Sequence, residues 1–317
     1  MPRSVRLAYI GAGAFTNSYM YPQLRLHDVE LVAVCDLVEE KAQLAARQYG
    51  FGRAYTDFHR MLDETQPEAV ICVGGPKVHY AVGKEVLQAG FPLYVQKSPA
   101  PSAAQTQELA DIAADRGVVF HVGFNLRASR AVSRTTEIAA NEGFGPTTLV
   151  NLRYGLVSGA TMRDAVLDQH CHGFDTLRQL GGEVAEMVIR PLQVAGHRGY
   201  AGVVTFESGA VGTIGFTNGQ ILDREFFYFE VTGTSGHMIT SHDFDLTYSR
   251  KAGPDEVHRL GNFAGALANL RWLGYVDDVA GFLAAVRGDA PDPSPGSDAV
   301  TTMKLCERAY AAVSSFD

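Results

Sequence analysis

Apolar runs and helical stripes alternate through the first 122 residues. Val5–Ile10 and Val29–Cys35 are short apolar runs, followed by Ala69–Val73, Pro92–Val95 and Val118–Val122. Between them, Glu39–Tyr49, Val78–Ala89 and Ser102–Arg116 have helical composition. Short strands that are apolar throughout, separated by helices, predict a parallel sheet covered on both faces. The third helix carries its own punctuation: Ser102 and Gln105 form a capping-box pair, Gly117 stands at its stop, and Leu109, Ile112 and Ala113 supply its apolar stripe.

After Asn125 the pattern changes. Thr147–Val157, Val184–Val194, Tyr200–Glu207, Ala210–Thr217, Phe226–Thr232 and His237–Thr240 read as strands, with glycine turns such as Ser208–Gly209 and Thr234–Gly236 between several of them. Close spacing and short turns predict a largely antiparallel open sheet. Two helices follow. Tyr275, Val279, Phe282, Leu283 and Val286 form one stripe ended by Gly288, and Val300, Met303, Cys306, Tyr310 and Val313 form the other, joined through a Pro291–Pro295 loop. The expected fold is α/β, with a nucleotide-type domain over residues 1–122 and an α+β domain over residues 123–317. The last helix is free to pack back on the first domain. No repeat of solenoid length is present.

Composition narrows the function classes. The chain of 317 residues is 46% hydrophobic and 20% charged, which excludes disorder as its organising principle. Its formal charge is −8 and no dense Lys/Arg run occurs, so no nucleic-acid partner is expected. Leu7–Leu24 carries no charge, but Gly11, Gly13, Asn17 and Pro22 break its apolar core, which is too short for a signal peptide or a membrane span. Cys35, Cys72, Cys171 and Cys306 include no CxxC pair and read as buried free thiols, which suits a reducing, cytoplasmic setting.

The segment Gly11-Ala12-Gly13-Ala14-Phe15-Thr16 follows the first apolar run. Gly11 suits a tight turn and Gly13 a close approach of backbone to a pyrophosphate, ahead of a helix whose free N–H groups face that charge. Thr16 stands at the third glycine position. Asp36 ends the second apolar run, 23 residues after Gly13, near the spacing of an acid that binds a ribose 2′-hydroxyl. An acid there repels a 2′-phosphate, and Leu37 offers no cation, so NAD is expected rather than NADP. The alternative for Asp36 is a helix-capping role.

Several further segments carry a resemblance. Tyr55-Thr56-Asp57-Phe58 as a short pre-strand segment, Pro76-Lys77-Val78-His79 as a loop after the next strand, Gln96-Lys97 and Gly123-Phe124-Asn125-Leu126-Arg127 together resemble the glucose–fructose oxidoreductase / inositol dehydrogenase (Gfo/Idh/MocA) family. Leu167-Asp168-Gln169-His170-Cys171-His172-Gly173-Phe174-Asp175 resembles its D-x-x-x-H-x-x-D helix. The resemblance implies an N-terminal Rossmann domain, with Gly11, Gly13, Ala14, Phe15, Asp36, Gly74, Pro76, His79 and Gln96 as cofactor contacts. Two departures stand out. The family's Glu-Lys-Pro is Gln96-Lys97-Ser98 here, so its Lys–Pro bond, often cis, is missing. The glycine-rich lead-in to the Asp168 motif is also absent or shortened.

Asp168, His172 and Asp175 are spaced so that one helix would carry all three on one face. The resemblance implies Lys97 as the group that binds and polarises a reacting oxygen, His172 as proton acceptor and donor, and Asp168 as its orienting partner or a hydroxyl ligand. Asp175 would bind another hydroxyl. Asn125 and Arg127 are cleft candidates at the crossover, Arg127 equally suiting a surface ion pair. Tyr154 and Arg163 are further substrate candidates. His79 fits either a cofactor contact or a helix cap. Asp168, His170, Cys171 and His172 are all metal-ligand types, but His170 and His172 diverge by about 200 degrees on a helix, so no metal is expected. The Phe226–Phe229 cluster reads as sheet packing or an oligomer face, and a homodimer or homotetramer is expected by analogy. The resulting expectation is an NAD-dependent dehydrogenase for a sugar, polyol or cyclitol. A non-catalytic dinucleotide sensor and an NAD-using glycosidase are the alternatives.

Overall fold

The computed structural model of the protein describes residues 3–141, 143–155, 161–195, 197–217, 227–259 and 265–316. Strands β1 (Val5–Ile10), β2 (Val29–Cys35), β3 (Arg53–Tyr55), β4 (Ala69–Cys72), β5 (Leu93–Gln96) and β6 (Phe120–Gly123) form one sheet. Its order is β3-β2-β1-β4-β5-β6, and every neighbouring pair is parallel. This is the doubly wound order of a dinucleotide-binding fold. Helices α1 (Tyr21–Leu24), α2 (Glu39–Tyr49), α3 (Phe58–Thr65), α4 (Pro76–Gln88) and α5 (Ala103–Arg116) connect the strands.

Local chemistry explains the helix ends. The Ser102 hydroxyl accepts from the Gln105 N–H, and Gly117 closes α5 in the left-handed region at φ 62°. Asp57 caps α3 by accepting from the His59 and Arg60 N–H groups. Tyr55-Thr56-Asp57-Phe58 therefore ends a strand and starts a helix; it is not a pre-strand segment. The three-residue edge strand β3 and the helix after it are the elements here that the sequence pattern does not announce.

The second unit has strands β7 (Thr147–Tyr154), β8 (Val184–Val194), β9 (His197–Phe206), β10 (Val211–Thr217), β11 (Phe227–Gly233), β12 (Met238–His242), β13 (Asp245–Ser249) and β14 (Glu256–His258). Their order is β14-β13-β12-β11-β7-β10-β9-β8, with β10–β7 parallel and the other described pairs antiparallel. Helices α6 (Arg130–Ala139), α7 (Met162–Asp164), α8 (Cys171–Gly181) and α9 (Ala266–Trp272) accompany it. Helix α8 lies on β7 and β10 closely: a Cβ on Gly173 would fall 2.5 Å from the Phe216 ring. On the inner face Tyr200, Phe206, Phe216, Phe227 and Phe229 are buried, whereas Val188, Val194 and Val203 on the other face are about half exposed. Val157 and Phe226, expected in strands, lie outside the described residues.

Helix α10 (Tyr275–Arg287) brings the chain back, and α11 (Gly296–Val313) follows. By contacts, Tyr275–Thr301 groups with the residues up to Asn125, and the residues from Thr302 onward group with Leu126–Gly274. The division thus falls at Asn125/Leu126 rather than at residue 122. The segment that joins the first unit is α10 and the start of α11, not the last helix alone. The reason is the apolar stripe of α10, because Val279, Phe282 and Leu283 are buried with Val5, Leu7, Tyr9 and Tyr94 in one core.

That core contains a polar chain. His121 of β6 is fully buried, with Nδ1 2.6 Å from Asp292 Oδ1 and Nε2 3.2 Å from Asp278 Oδ1. The Tyr94 hydroxyl donates to Asp278 Oδ2 (2.7 Å), and Gln96 Nε2 donates to the Tyr94 hydroxyl (2.7 Å). Burial alone pushes the His121 imidazole down, but the Asp278 carboxylate and then Asp292 outweigh it, so the pKa is pushed up to about 9 from an ordinary 6.5. A raised folded-state value stabilises fully below the unfolded pKa and is lost as pH rises through the folded one. The unfolding midpoint is therefore expected to fall between pH 6.5 and about 9, by up to about 3 kcal/mol of stability. Thermal melts across that range check this; an equal slope in His121→Gln would contradict it.

Candidate functional site

The first cluster forms where β1, β2 and β4 end. Gly11 has φ +104°, its N–H donates to the Cys35 carbonyl (2.8 Å), and a Cβ there would lie 2.0 Å from the Val73 carbonyl oxygen. Only glycine makes that turn. Gly13 has open space where a Cβ would be, so a ligand can approach its backbone. Ala14 and Phe15 begin the helix, which continues as a π-helical stretch, Thr16–Met20. Thr16, in the third glycine position, is buried. Asn17 braces the turn by donating Nδ2 to the Ala12 and Gly13 carbonyls, and Tyr21 donates its hydroxyl to the Gly11 carbonyl. Neither brace is visible as a sequence motif.

Asp36 stands at the end of β2. One carboxylate oxygen accepts from the Ala12 N–H (2.7 Å) and the other from the Val38 N–H (2.9 Å). Asp36 is not the cap of α2, whose N-cap residue is Val38 with no side-chain cap; its two bonds tie the turns around it and leave each carboxylate oxygen a second lone pair for a ligand. A cavity of about 810 Å³ opens beside it, lined by Gly11, Gly13, Asp36, Leu37, Val38, Phe58, Gly74, Lys77 and Val78 among others. Leu37 is 92% exposed at its edge, an apolar side chain with little protein cover. A glycine turn ahead of a helix N-terminus, an acid and exposed apolar walls fit the diphosphate, ribose and adenine of a dinucleotide in turn. Sequence reasoning missed the apolar walls, whose signal is Leu37-Val38 directly after the acid.

Gly74 and Pro76 lie at the start of α4, and a Cβ on Gly74 would meet Val78 at 2.5 Å. His79 is 1% exposed. Its Nε2 accepts from the Gly74 N–H (3.1 Å) and its Nδ1 donates to the Ser98 carbonyl (2.8 Å). It is therefore a buried tie between the loops after β4 and β5, in place of the cofactor contact or helix cap expected. Gln96 is buried too, and its amide turns inward to Tyr94 rather than outward to a cofactor. Lys97 follows, half-buried. The Lys97–Ser98 peptide is cis although no proline is present, contrary to the expectation that the cis bond is missing.

The second cluster lies in the second unit. Asp168 sits in a π-helical turn, Ala165–Gln169, and α8 starts only at Cys171. The wider turn interrupts the single α-helical face expected for Asp168, His172 and Asp175, so the latter two share α8 and Asp168 precedes it. Asp168 is half-buried and accepts from Gln169 Nε2 (3.2 Å); His172 is 9% exposed.

Asp175 is 1% exposed, and both its oxygens are engaged inside the unit. Arg127 holds it in a fork, with Nε donating to Oδ2 (2.8 Å) and Nη2 to Oδ1. The Thr302 hydroxyl adds a bond (3.0 Å) and itself accepts from Arg178 (2.7 Å). The pair that Arg127 makes is thus a buried one, where the alternative to a cleft role was a surface ion pair. Tyr154 is buried, and its ring packs among those of His170, Phe216 and Phe227. Asn125 is buried at the start of a 3-10 turn, and Arg163 is exposed on α7.

All four cysteines are buried free thiols, and burial first, then Asp36, pushes Cys35 up to about 12. Among the described residues no three His, Cys, Asp or Glu side chains gather as a metal site. His170 is bonded to the Tyr200 hydroxyl (2.8 Å). No described helix is long and apolar enough to cross a membrane. Phe227 and Phe229 are core residues of the sheet, while Tyr228 lies under the Arg153 guanidinium.

Comparison with known proteins adds independent findings. A model described as the oxidoreductase family, NAD-binding Rossmann fold (GFO_IDH_MocA), matches residues 5–124, and its C-terminal alpha/beta domain model matches residues 160–315. D-apiose dehydrogenase of Paraburkholderia graminis is 25% identical, over 96% of this chain and 86% of its own. Myo-inositol 2-dehydrogenase of Thermotoga maritima is 22% identical, over 99% and 96%. Among solved structures, an oxidoreductase from Agrobacterium radiobacter in complex with NAD+, L-tartaric acid and magnesium superposes with a TM-score of 0.85 at 16% identity, covering 98% of this chain and 96% of that one.

Proposed function

Because the chain belongs to the Gfo/Idh/MocA oxidoreductase family, we propose that it moves hydride between NAD and a secondary alcohol or ketone of a sugar, polyol or cyclitol. The observation that carries this reading is the cavity beside Asp36, walled by the Gly11–Gly13 turn and by Leu37, Val38 and Val78. The names of the apiose and inositol dehydrogenases support the substrate class.

With its adenine end in that cavity, NAD would supply, through its nicotinamide, an acceptor for the hydride that leaves the carbinol carbon. The N–H groups that open the helix after Gly13 hold the diphosphate. Asp36 accepts a ribose hydroxyl and repels a 2′-phosphate. Lys97 binds the reacting oxygen and favours its negative charge as the O–H proton departs. His172 takes that proton, and returns it in the reverse direction, because an imidazole exchanges protons near neutral pH. Asp168 orients the imidazole or binds a substrate hydroxyl. The exposed apolar face at Val188, Val194 and Val203 supports a homo-oligomer, and four buried free thiols support a reducing compartment such as the cytoplasm.

The test is NADH absorbance while NAD is offered with myo-inositol, aldoses including D-apiose, and glucosides. Reduction with one class is the expected result. With NADP, kcat/KM is expected to be lower by about 100-fold, the effect of a like charge at the ribose, and Asp36→Ser should recover most of that gap. Silence across the panel from protein that binds NADH favours a dinucleotide sensor instead.

A further inference from the structure

We propose that Gln96 is a positioning residue for Lys97: its amide, held as a donor to Tyr94 at the end of a buried relay through Asp278, His121 and Asp292, fixes the end of β5 from which Lys97 projects. The proposal rests on the reading that Lys97 handles the reacting oxygen.

The direction of every bond in the relay follows from proton counting. Each ring nitrogen of His121 faces a carboxylate oxygen, Asp292 at 2.6 Å and Asp278 at 3.2 Å. Carboxylates only accept, so both nitrogens donate and the ring is an imidazolium. Asp278 spends its other oxygen on the Tyr94 hydroxyl. That hydroxyl has one proton, already given to Asp278, so its oxygen needs a donor. The Gln96 Nε2, at 2.7 Å, is that donor. A glutamate at this position, as in the family's Glu-Lys-Pro, has no proton to give when ionised. The departure at Gln96 and the Tyr94–Asp278 bond thus belong to one arrangement.

The junction is closely built. A Cβ on Gly123 of β6 would lie 2.3 Å from the Tyr94 hydroxyl and 2.8 Å from Gln96 Nε2. The Met20 sulfur closes another side at 3.6 Å from the amide nitrogen. On the far flank of Lys97, the Ser98 carbonyl is held by His79. Lys97 therefore stands between two anchored neighbours.

The discriminating variant is Gln96→Glu, which supplies a donor only while its new carboxyl is protonated. That carboxyl would be buried against the Tyr94 hydroxyl, itself surrounded by Asp278 and Tyr275 of α10 and Tyr9 of β1, with His121 of β6 and Asp292 of the following loop next in the relay and Lys97 adjacent in the chain. Burial and the Asp278 carboxylate outweigh the cations in keeping it protonated at low pH. Using the best sugar or cyclitol from the panel, kcat of Gln96→Glu is expected within about tenfold of the parent at pH 6 and about 100-fold below it at pH 9, with the KM for NAD little changed. Gln96→Leu, which never donates, should lose kcat by one factor from pH 6 to pH 8, below the range in which His121 deprotonates. A ratio of Gln96→Glu to parent that stays flat with pH overturns the proposal. Should that variant fail to fold, the parent supplies a second readout by NMR. Its Gln96 side-chain amide should be protected from hydrogen exchange at pH 7 and lose protection as His121 deprotonates in the alkaline range; free exchange at pH 7 overturns the proposal. Lys97→Ala separates the two readings. Full turnover there sinks the role of Lys97 itself, whereas lost turnover with parent-like Gln96 variants sinks only the relay.

Discussion

Replacing Lys97 or His172 with alanine is expected to lower turnover by about 1000-fold or more while leaving NADH affinity within about threefold of the parent. The size follows from the jobs proposed. Removing a general base costs about 100- to 10,000-fold, and removing a cation that favours the developing oxyanion costs a similar factor. The separation between turnover and binding follows from placement. The residues that line the cavity proposed for the dinucleotide are Gly11, Gly13, Asp36 and their neighbours, and neither Lys97 nor His172 is among them. Steady-state rates paired with NADH fluorescence titrations read both quantities on one preparation. Parent-like rates in the two variants would remove the catalytic assignment and leave the cavity as a binding site only.

The second large effect concerns stability. Arg127→Ala is expected to destabilise the second unit by about 3–5 kcal/mol, because it strands the buried Asp175 carboxylate without its forked partner. For a unit of this size that amounts to roughly 10 °C in the unfolding midpoint. The effect should reside in the pair and not in lost packing. Arg127→Met combined with Asp175→Leu should therefore recover most of the loss, since a buried ion pair is often no better than a well-packed apolar pair. Calorimetry of the single and double variants measures this. A double variant as unstable as Arg127→Ala would assign the residues a role beyond mutual neutralisation.

Much of the scaffold was legible because it depends on local rules. Val5–Ile10 and Val29–Cys35 are strands to the residue, since apolar runs of that length between helices have few other uses. Ser102 and Gly117 bound α5 because a cap acts within one turn. Gly11, Gly13 and Asp36 could be read as one cluster because strand, turn and helix follow directly in the chain. Illegible features depend on distance or on subtle backbone geometry. Asp175 and Arg127 advertised themselves as polar residues in a functional motif, but only the fold shows that they neutralise each other. His121 stands more than 150 residues before both Asp278 and Asp292, and no spacing rule joins it to them. The π-turn at Ala165–Gln169, which holds Asp168 ahead of α8, is a backbone feature that a 3.6-residue period does not anticipate.

The return of the chain at Tyr275 has a consequence for how the protein is made. When residue 125 leaves the ribosome, six strands of the first sheet have been synthesised, but Val279, Phe282 and Leu283 have not. At about 5–20 residues per second, on the order of ten seconds pass before α10 is synthesised. Throughout that interval the apolar side chains of Leu7, Tyr9 and Tyr94 lack their covering helix, and the Tyr94 hydroxyl lacks Asp278. The nascent first half thus exposes that apolar surface until the other half has largely been translated, and a gene fragment ending at residue 125 is expected to yield an incompletely closed, aggregation-prone product.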